Sequence, residues 1–219
     1  MFQLVRENPR APRDVVPAAD GKGRATFTEM FLSADEADDL VKALRTWGSL
    51  FHNAVVNRRE VAKRQVLHFR TKRTRDYYHT GDVHRARVFR DSKIGRKMGA
   101  LRKRVQTEVS RQMGREVKFS SCIVNRYTTT GLGYHSDDTS RLEHDIVAGV
   151  SFGAPCGFHI KNKEPGSETW KVEATHGSLI VMQEGMQKHR VHCVTKPRGS
   201  GRTRWSVTFR RVIKDPAAA

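Results

Sequence analysis

The sequence predicts a mostly β fold with flanking helices, an α+β chain whose helices lie in its first half. Three observations carry that expectation. From residue 117 onward, short extended stretches are punctuated by Gly131, Gly133, Gly153, Gly157, Gly166, Gly177 and Gly185, as in a sandwich or barrel. Helical periodicity is confined to two stretches before residue 115. The apolar content is 37%, which favours a thin jelly roll over a large buried α/β sheet. At 219 residues the chain is long enough for one domain with a real core.

Residues 1–25 contain three of the seven prolines and the Gly21-Lys22-Gly23 turn, and read as an N-terminal arm ordered only in part. Thr26–Leu32 is a short extended piece. Ser33 and Glu36 then form a capping box, opening a helix that runs to about Trp47 with Leu40, Val41 and Leu44 as its buried stripe. Residues 57–92 are basic and aromatic, with poor periodicity, so short strands and loops are expected there. A second helix runs from Ser92 to about Met113. Ile94, Met98, Leu101, Val105, Val109 and Met113 form its apolar stripe, and Gly114 is its C-cap. Its other face carries Lys93, Arg96, Lys97, Arg102, Lys103, Arg104 and Arg111, either a solvated face or an extended phosphate track.

The strand candidates are Val117–Arg126, Asp145–Phe152, Phe158–Lys161, Thr169–Ala174, Ser178–Gln183, Arg190–Val194 and Arg204–Val212. Pro197–Gly201 reads as a hairpin loop and Asp215–Ala219 as a frayed tail. The expected organisation is therefore an arm (1–25), helices and a basic segment packed on the core (26–116), a β core (117–213) and a tail (214–219). Together they form one structural domain.

The chemistry concentrates between Asn125 and Arg210. If 134–138 is extended, His135 and Asp137 point one way and Ser136 the other. Two histidines and one carboxylate on a single face leave three coordination positions open, the usual arrangement of non-haem Fe(II) oxygenases. A structural zinc would want four closed ligands, usually with Cys. His189 and His192 sit three apart and face opposite sides of a strand, so only one can join the pair. His144 and His159 read as surface or lid histidines. His176, before Gly177, reads as a turn residue whose ring satisfies backbone groups.

In the closing strand, Arg204, Ser206, Thr208 and Arg210 share one face and Trp205, Val207 and Phe209 the other. The second face is apolar core. The first would carry two guanidinium groups inward, where they need an anion that Arg grips in forked geometry. The competing reading is an edge strand with a solvated basic face. Asn125 and Tyr127 also share a face and could contact the same anion.

This stretch resembles the AlkB family of Fe(II)- and 2-oxoglutarate-dependent dioxygenases. The elements that carry the resemblance are Asn125-x-Tyr127, His135-x-Asp137, Val150-Ser151-Phe152-Gly153, His176-Gly177-Ser178-Leu179, a downstream His, and Arg204-x-Ser206-x-Thr208-Phe209-Arg210. The resemblance implies a double-stranded β-helix (jelly-roll) core and Fe(II) on His135, Asp137 and His192. It implies 2-oxoglutarate on Asn125, Tyr127, Arg204, Ser206, Thr208 and Arg210, with O2 as the other co-substrate. It also makes residues 57–92 a nucleotide-recognition lid. Two positions depart from the family: Ser206 stands where Asn is frequent, and Thr139 where repair members often carry an acid that reads the base.

Composition points to the same partner. The chain carries 41 Lys and Arg against 23 Asp and Glu, a formal charge of +18, and a surplus that large suits a polyanion such as nucleic acid. A generally basic surface kept for solubility is the plainer alternative. Arg70, Lys72, Arg73 and Arg75 lead into Tyr77, Tyr78 and His79, where cations would meet phosphates and a ring would stack on a flipped base. Asp138 and Thr139 are further substrate candidates. Cys122, Cys156 and Cys193 form no CxxC and read as reduced thiols of an intracellular protein, cytoplasmic or nuclear. No run approaches the ~18 apolar residues of a membrane span, no secretion signal is evident, and a monomer is expected. The resulting expectation is a demethylase of N-alkylated bases, of the 1-methyladenine and 3-methylcytosine type, in single-stranded DNA or RNA. The rivals are an oxygenase acting on protein or a small metabolite, and a catalytically silent nucleic-acid-binding module.

Overall fold

The structure is a computed structural model that describes residues 11–18, 22–56, 59–74, 77–79, 82–84, 86–137, 145–199 and 202–212. The N-terminal half contains β1 (Arg13–Val16), β2 (Ala25–Thr28), α1 (Ala34–Thr46), a single 3-10 turn at Gly48–Leu50, β3 (His52–Val56) and β4 (Arg59–Arg70). The short strands β5 (Tyr77–His79), β6 (Asp82–His84) and β7 (Arg87–Val88) precede α2 (Lys93–Met113). The remainder is β8 (Ser121–Tyr127), β9 (Leu132–His135), β10 (Val147–Gly153), β11 (Cys156–Asn162) and β12 (Thr169–Ala174). It ends with β13 (Leu179–Met182), α3 (Met186–His189), β14 (Arg190–Val194) and β15 (Arg204–Arg210).

Two sheets face each other. The larger runs β1-β2-β13-β10-β15-β8-β4-β3, with β7 parallel to β4 at one side; the smaller runs β12-β11-β14-β9. From β8 onward the chain passes back and forth between them, apart from the β11–β12 hairpin within the smaller sheet, which is the winding of a jelly roll. Period-two alternation gives the larger sheet two different faces. Leu67, Phe69, Val124, Phe152, Trp205, Val207 and Phe209 pack against Leu40, Val41 and Leu44 of α1 and Met98, Leu101 and Val105 of α2. Each fully buried aromatic or aliphatic chain there is worth roughly 1.5–3 kcal/mol. The opposite face looks into the space between the sheets, where Val147, Ile180 and Met182 meet Phe158, Ile160 and Val194.

The helices obey the sequence. Ser33 Oγ accepts from the Glu36 amide at 3.2 Å while Glu36 Oε2 accepts from the Ser33 amide at 3.0 Å, closing the capping box. Ser92 caps α2 and Gly114 ends it in the left-handed region at φ 62°. Arg104 pairs with Glu36 at 2.5 Å and Lys97 with Asp39, tying the helices together on their solvent side.

Two expectations need correction. Residues 59–70 form one long strand rather than short pieces, paired along β8 from Arg64 to Arg70. Its charges masked the period: Arg64, Val66 and His68 line the inner cavity, while Leu67 and Phe69 enter the helix-side core. Pro197–Gly201 is not a hairpin loop, because β14 and β15 belong to different sheets and the segment crosses between them. Within the N-terminal arm, Arg13–Val16 is paired antiparallel with β2.

Backbone proximity between β9 and β14 is tight. A Cβ at Gly131 would come within 2.1 Å of the Val194 carbonyl oxygen, whereas one at Gly133 would meet nothing within 4 Å. Gly131→Ala should therefore lower stability by about 1–3 kcal/mol, and Gly133→Ala by no more than roughly 0.5 kcal/mol. Thermal melts of the two variants check this, and equal melting temperatures would refute the close approach.

Candidate active site

The smaller sheet brings the histidines together. β14 pairs with β9 so that His192 lies directly opposite His135. Asp137 follows two residues after β9 ends. His135 Nε2 lies 3.8 Å from Asp137 Oδ1, and His192 Nε2 lies 3.8 Å from Asp137 Oδ2. The donor atoms of all three lie within 4.8 Å of one another, close enough to share one divalent ion. His189 ends α3 instead and is not part of this group.

The surroundings fix each donor. His135 Nδ1 lies 2.8 Å from the Gly133 carbonyl, which can only accept, so Nδ1 carries the proton and Nε2 keeps its lone pair. His192 stacks on Phe158 with ring centroids 5.3 Å apart. Burial pushes its pKa down to about 4, against the pull of Asp137, so the ring is neutral at pH 7 and can ligate. The Asp137 amide donates to Gln187 Oε1 at 2.8 Å, and Gln187, itself buried, is held by its own amide donating to Asp145 Oδ2 at 3.2 Å and its Nε2 donating to Met182 Sδ at 3.4 Å. Arg210 Nη2 reaches Asp137 Oδ1 at 2.7 Å. Ser136, expected to face away, also borders the cavity because the strand ends before it.

These residues form one wall of a cavity of about 270 Å³ between the sheets. The opposite wall is the inner face of β15, β8 and β4. Arg204, Ser206, Thr208 and Arg210 all line it, with Asn125 and Tyr127 beside them. β15 is central, between β10 and β8, so the edge-strand reading fails. Arg204 is only 2% exposed. It donates to Ser151 Oγ at 3.0 Å and lies over the Tyr127 ring, yet its Nε and Nη1 have no hydrogen-bond partner. Such orphaned donors on a buried cation fit a carboxylate that would occupy the cavity. Burial raises the Tyr127 pKa, with Arg64 and Arg204 opposing it, so the phenol stays a donor. The residues present therefore suit a divalent metal on one wall and a small dicarboxylate on the other.

Other sequence candidates are more dispersed. Arg70 is half-buried and donates to the Thr74 carbonyl at 2.7 Å, anchoring the turn after β4. Lys72 and Arg73 are exposed on that turn. Tyr77, Tyr78 and His79 form β5, paired with β6; their side chains, and all of Arg75, Asp138, Thr139 and His144, lie outside the described residues. His176 accepts from the Gly153 amide at 2.9 Å, as a structural turn histidine. On α2, Lys97, Arg104 and Arg111 are held in ion pairs, Arg102 donates to the Phe119 carbonyl and Arg96 to the Arg90 carbonyl at 3.3 Å, and Lys93 lies near enough to Asp39 to help Lys97 lower its pKa. Arg64, His68, Ser151 and Gln187 belong to the site but were not singled out by sequence. The first two were hidden in the charged run of β4. Ser151 stands opposite Ser206 in register, a signal visible only once the strands are paired.

The sequence matches the 2OG-Fe(II) oxygenase superfamily over residues 24–210. It is 33% identical over 112 residues to "Alpha-ketoglutarate-dependent dioxygenase alkB homolog 3" of Homo sapiens, covering 46% of this chain and 39% of that protein. It is 28% identical over 120 residues to "DNA oxidative demethylase ALKBH2" of Bos taurus, covering 50% of this chain and 42% of that protein. The matched stretches thus span about two-fifths of those relatives. The solved structure of OsALKBH1 shares the fold, with a TM-score of 0.61 at 15% identity over 85% of this chain and 97% of that one.

Replacing either His135 or Asp137 by Ala should abolish tight divalent-metal binding without unfolding the protein, whereas His189→Ala should bind metal normally. Titration with Co(II), followed by its visible absorbance, reads this directly. Retained Co(II) in Asp137→Ala, or loss in His189→Ala, would contradict the grouping of His135, Asp137 and His192.

Proposed function

The chain belongs to the 2OG-Fe(II) oxygenase superfamily and is AlkB-like within it, and from that premise we propose that it oxidatively demethylates N-alkylated bases in single-stranded nucleic acid. The observation that carries the reading is the pairing of two features across one cavity. His135, Asp137 and His192 converge on one wall, and the orphaned guanidinium of Arg204 faces them from the other. The DNA demethylase activity in the name of the bovine relative and the +18 charge of this chain support a nucleic-acid substrate.

Fe(II), bound with 2-oxoglutarate and O2, supplies oxidation of a substrate C–H bond coupled to decarboxylation of the co-substrate to succinate. The protein supplies position. His135 and His192 would present their Nε2 atoms to the metal, and Asp137 its carboxylate oxygens. Arg204 would hold one carboxylate at the buried end, helped by the Tyr127 hydroxyl. Arg210, already directed by Asp137, would meet the carboxylate nearer the metal. Phe158, Leu132 and Val194 border the site with apolar surface and limit water around the reacting groups. Oxidation of an N-methyl group gives an N-hydroxymethyl product that releases formaldehyde and the unmodified base. The 1-methyladenine and 3-methylcytosine lesions are the proposed targets, in DNA or RNA.

Incubation with Fe(II), 2-oxoglutarate and a panel of methylated oligonucleotides should yield succinate and formaldehyde in equal amounts, with a matching loss of mass from the oligonucleotide. Arg204→Ala should raise the KM for 2-oxoglutarate about tenfold or more, given one lost charged hydrogen bond. Succinate formation with no oligonucleotide demethylated would favour a protein or metabolite substrate.

Binding to single-stranded oligonucleotides should weaken linearly in log affinity against log salt. Neutralising exposed Lys72 and Arg73 together should flatten that slope by about one to two units if each meets a phosphate. Anisotropy across a salt series measures it. An unchanged slope would remove this turn from the phosphate track.

A further inference from the structure

We infer that Arg64 is a positioning residue for the co-substrate: it locks the Asn125 amide so that Nδ2, and not Oδ1, is presented to a carboxylate in the cavity. The inference rests on the proposed reading of this cavity as the 2-oxoglutarate site.

The strand register places the parts. Across β4, β8 and β15, Arg64 lies opposite Tyr127, which lies opposite Arg204. One rung on, Val66 lies opposite Asn125, which lies opposite Ser206. All six side chains line the cavity. Arg64 Nε donates to Asn125 Oδ1 at 3.1 Å. That nitrogen has a proton and no acceptor capacity, so it can hold only the oxygen end of the amide. The two N–H groups of Nδ2 are then left for a ligand.

The choice of end matters because a carboxylate distinguishes them. Nδ2 attracts it, while Oδ1 would repel it. The amide ends are nearly alike in shape, so packing alone does not set the orientation. Asn125 is only 7% exposed, so bulk water does little to set it. Ser206 cannot set it either, because a hydroxyl both donates and accepts and suits either end. Among the described residues no carboxylate pairs with Arg64, so its commitment to Asn125 is not diverted by an acid. Arg64 therefore does through Asn125 what no other contact of that amide does.

Geometry supplies a clean test. Arg64→Lys keeps a donor with no acceptor capacity, which like arginine can hold only the oxygen end of the amide; Arg64→Met puts a methyl group at the place of the arginine Nε. Affinity for 2-oxoglutarate is measured by calorimetry on the Mn(II)-loaded protein, and KM and kcat on the Fe(II)-loaded one. Arg64→Met should weaken 2-oxoglutarate about five- to tenfold in both Kd and KM, with kcat at saturation within about twofold. Arg64→Lys should stay within about threefold of the parent. Asn125→Ala should weaken binding at least as much as Arg64→Met, and the double variant no more than Asn125→Ala alone. Equal loss in Lys and Met variants would show that a donor-only side chain at this position does not set the amide, and overturn the inference. So would parental affinity in Arg64→Met, or additive losses in the double variant. Co(II) binding equal to the parent certifies that each variant is folded. Failure of the parent itself to bind 2-oxoglutarate would overturn the co-substrate reading, and this inference with it.

Discussion

Strand β15 has to satisfy two incompatible environments, and the rest of the molecule is arranged to let it. Trp205, Val207 and Phe209 enter a dry core beneath two helices; Arg204, Ser206, Thr208 and Arg210 face the space between the sheets. An Arg side chain with unmet donors away from water costs on the order of 1–3 kcal/mol per group. A strand in the middle of a sheet cannot turn that face to solvent. The sheet therefore holds the cost in place, against the packing of the apolar face, until an anion removes it. Stored polarity of this kind explains why β10 and β8 flank β15 so completely: they keep Arg204 from relaxing outward.

The smaller sheet answers that demand from the other side. Its β14–β9 pairing sets His192 against His135, and Gln187 holds the backbone of Asp137 between them. Before any ion binds, Asp137 is balanced by Arg210. A buried carboxylate left alone would be far more expensive than this pair. The ion pair thus keeps the site intact in its empty state, and the burial that lowers the His192 pKa keeps that ring ready to ligate at neutral pH. Metal entry would compete with Arg210 for one oxygen of Asp137.

How far the sequence carried this picture depended on local signal. Both helices were legible because caps and stripes are short-range: Ser33 with Glu36, Ser92, Gly114, and apolar steps of three and four. The alternating face of 204–210 was equally legible, and so was the pairing of His135 with Asp137. Strand β4 was not, because Arg64, His68 and Arg70 occupy the face that would normally be apolar, and period-two reading looks for apolar residues. The crossing of 195–203 between sheets is a long-range property, so its Pro and Gly content suggested a hairpin instead. Gln187 left no trace at all, since it acts from a single helical turn through a contact 50 positions away in sequence.

The surplus charge can be partitioned by what holds it. On α1 and α2, Lys97, Arg104 and Arg111 are engaged with Asp39, Glu36 and Glu108, and isolated exposed pairs like these add little to stability because water screens them. Those cations are structural in the weak sense and already half neutralised. Lys72 and Arg73 are different: they project from the turn at the end of β4, the same strand that carries Arg64 and His68 into the cavity. A backbone phosphate held at that turn would lie at the end of a strand that lines the cavity wall opposite His135, Asp137 and His192. The position of the free cations, more than their number, is therefore what connects the chain's basicity to the proposed chemistry.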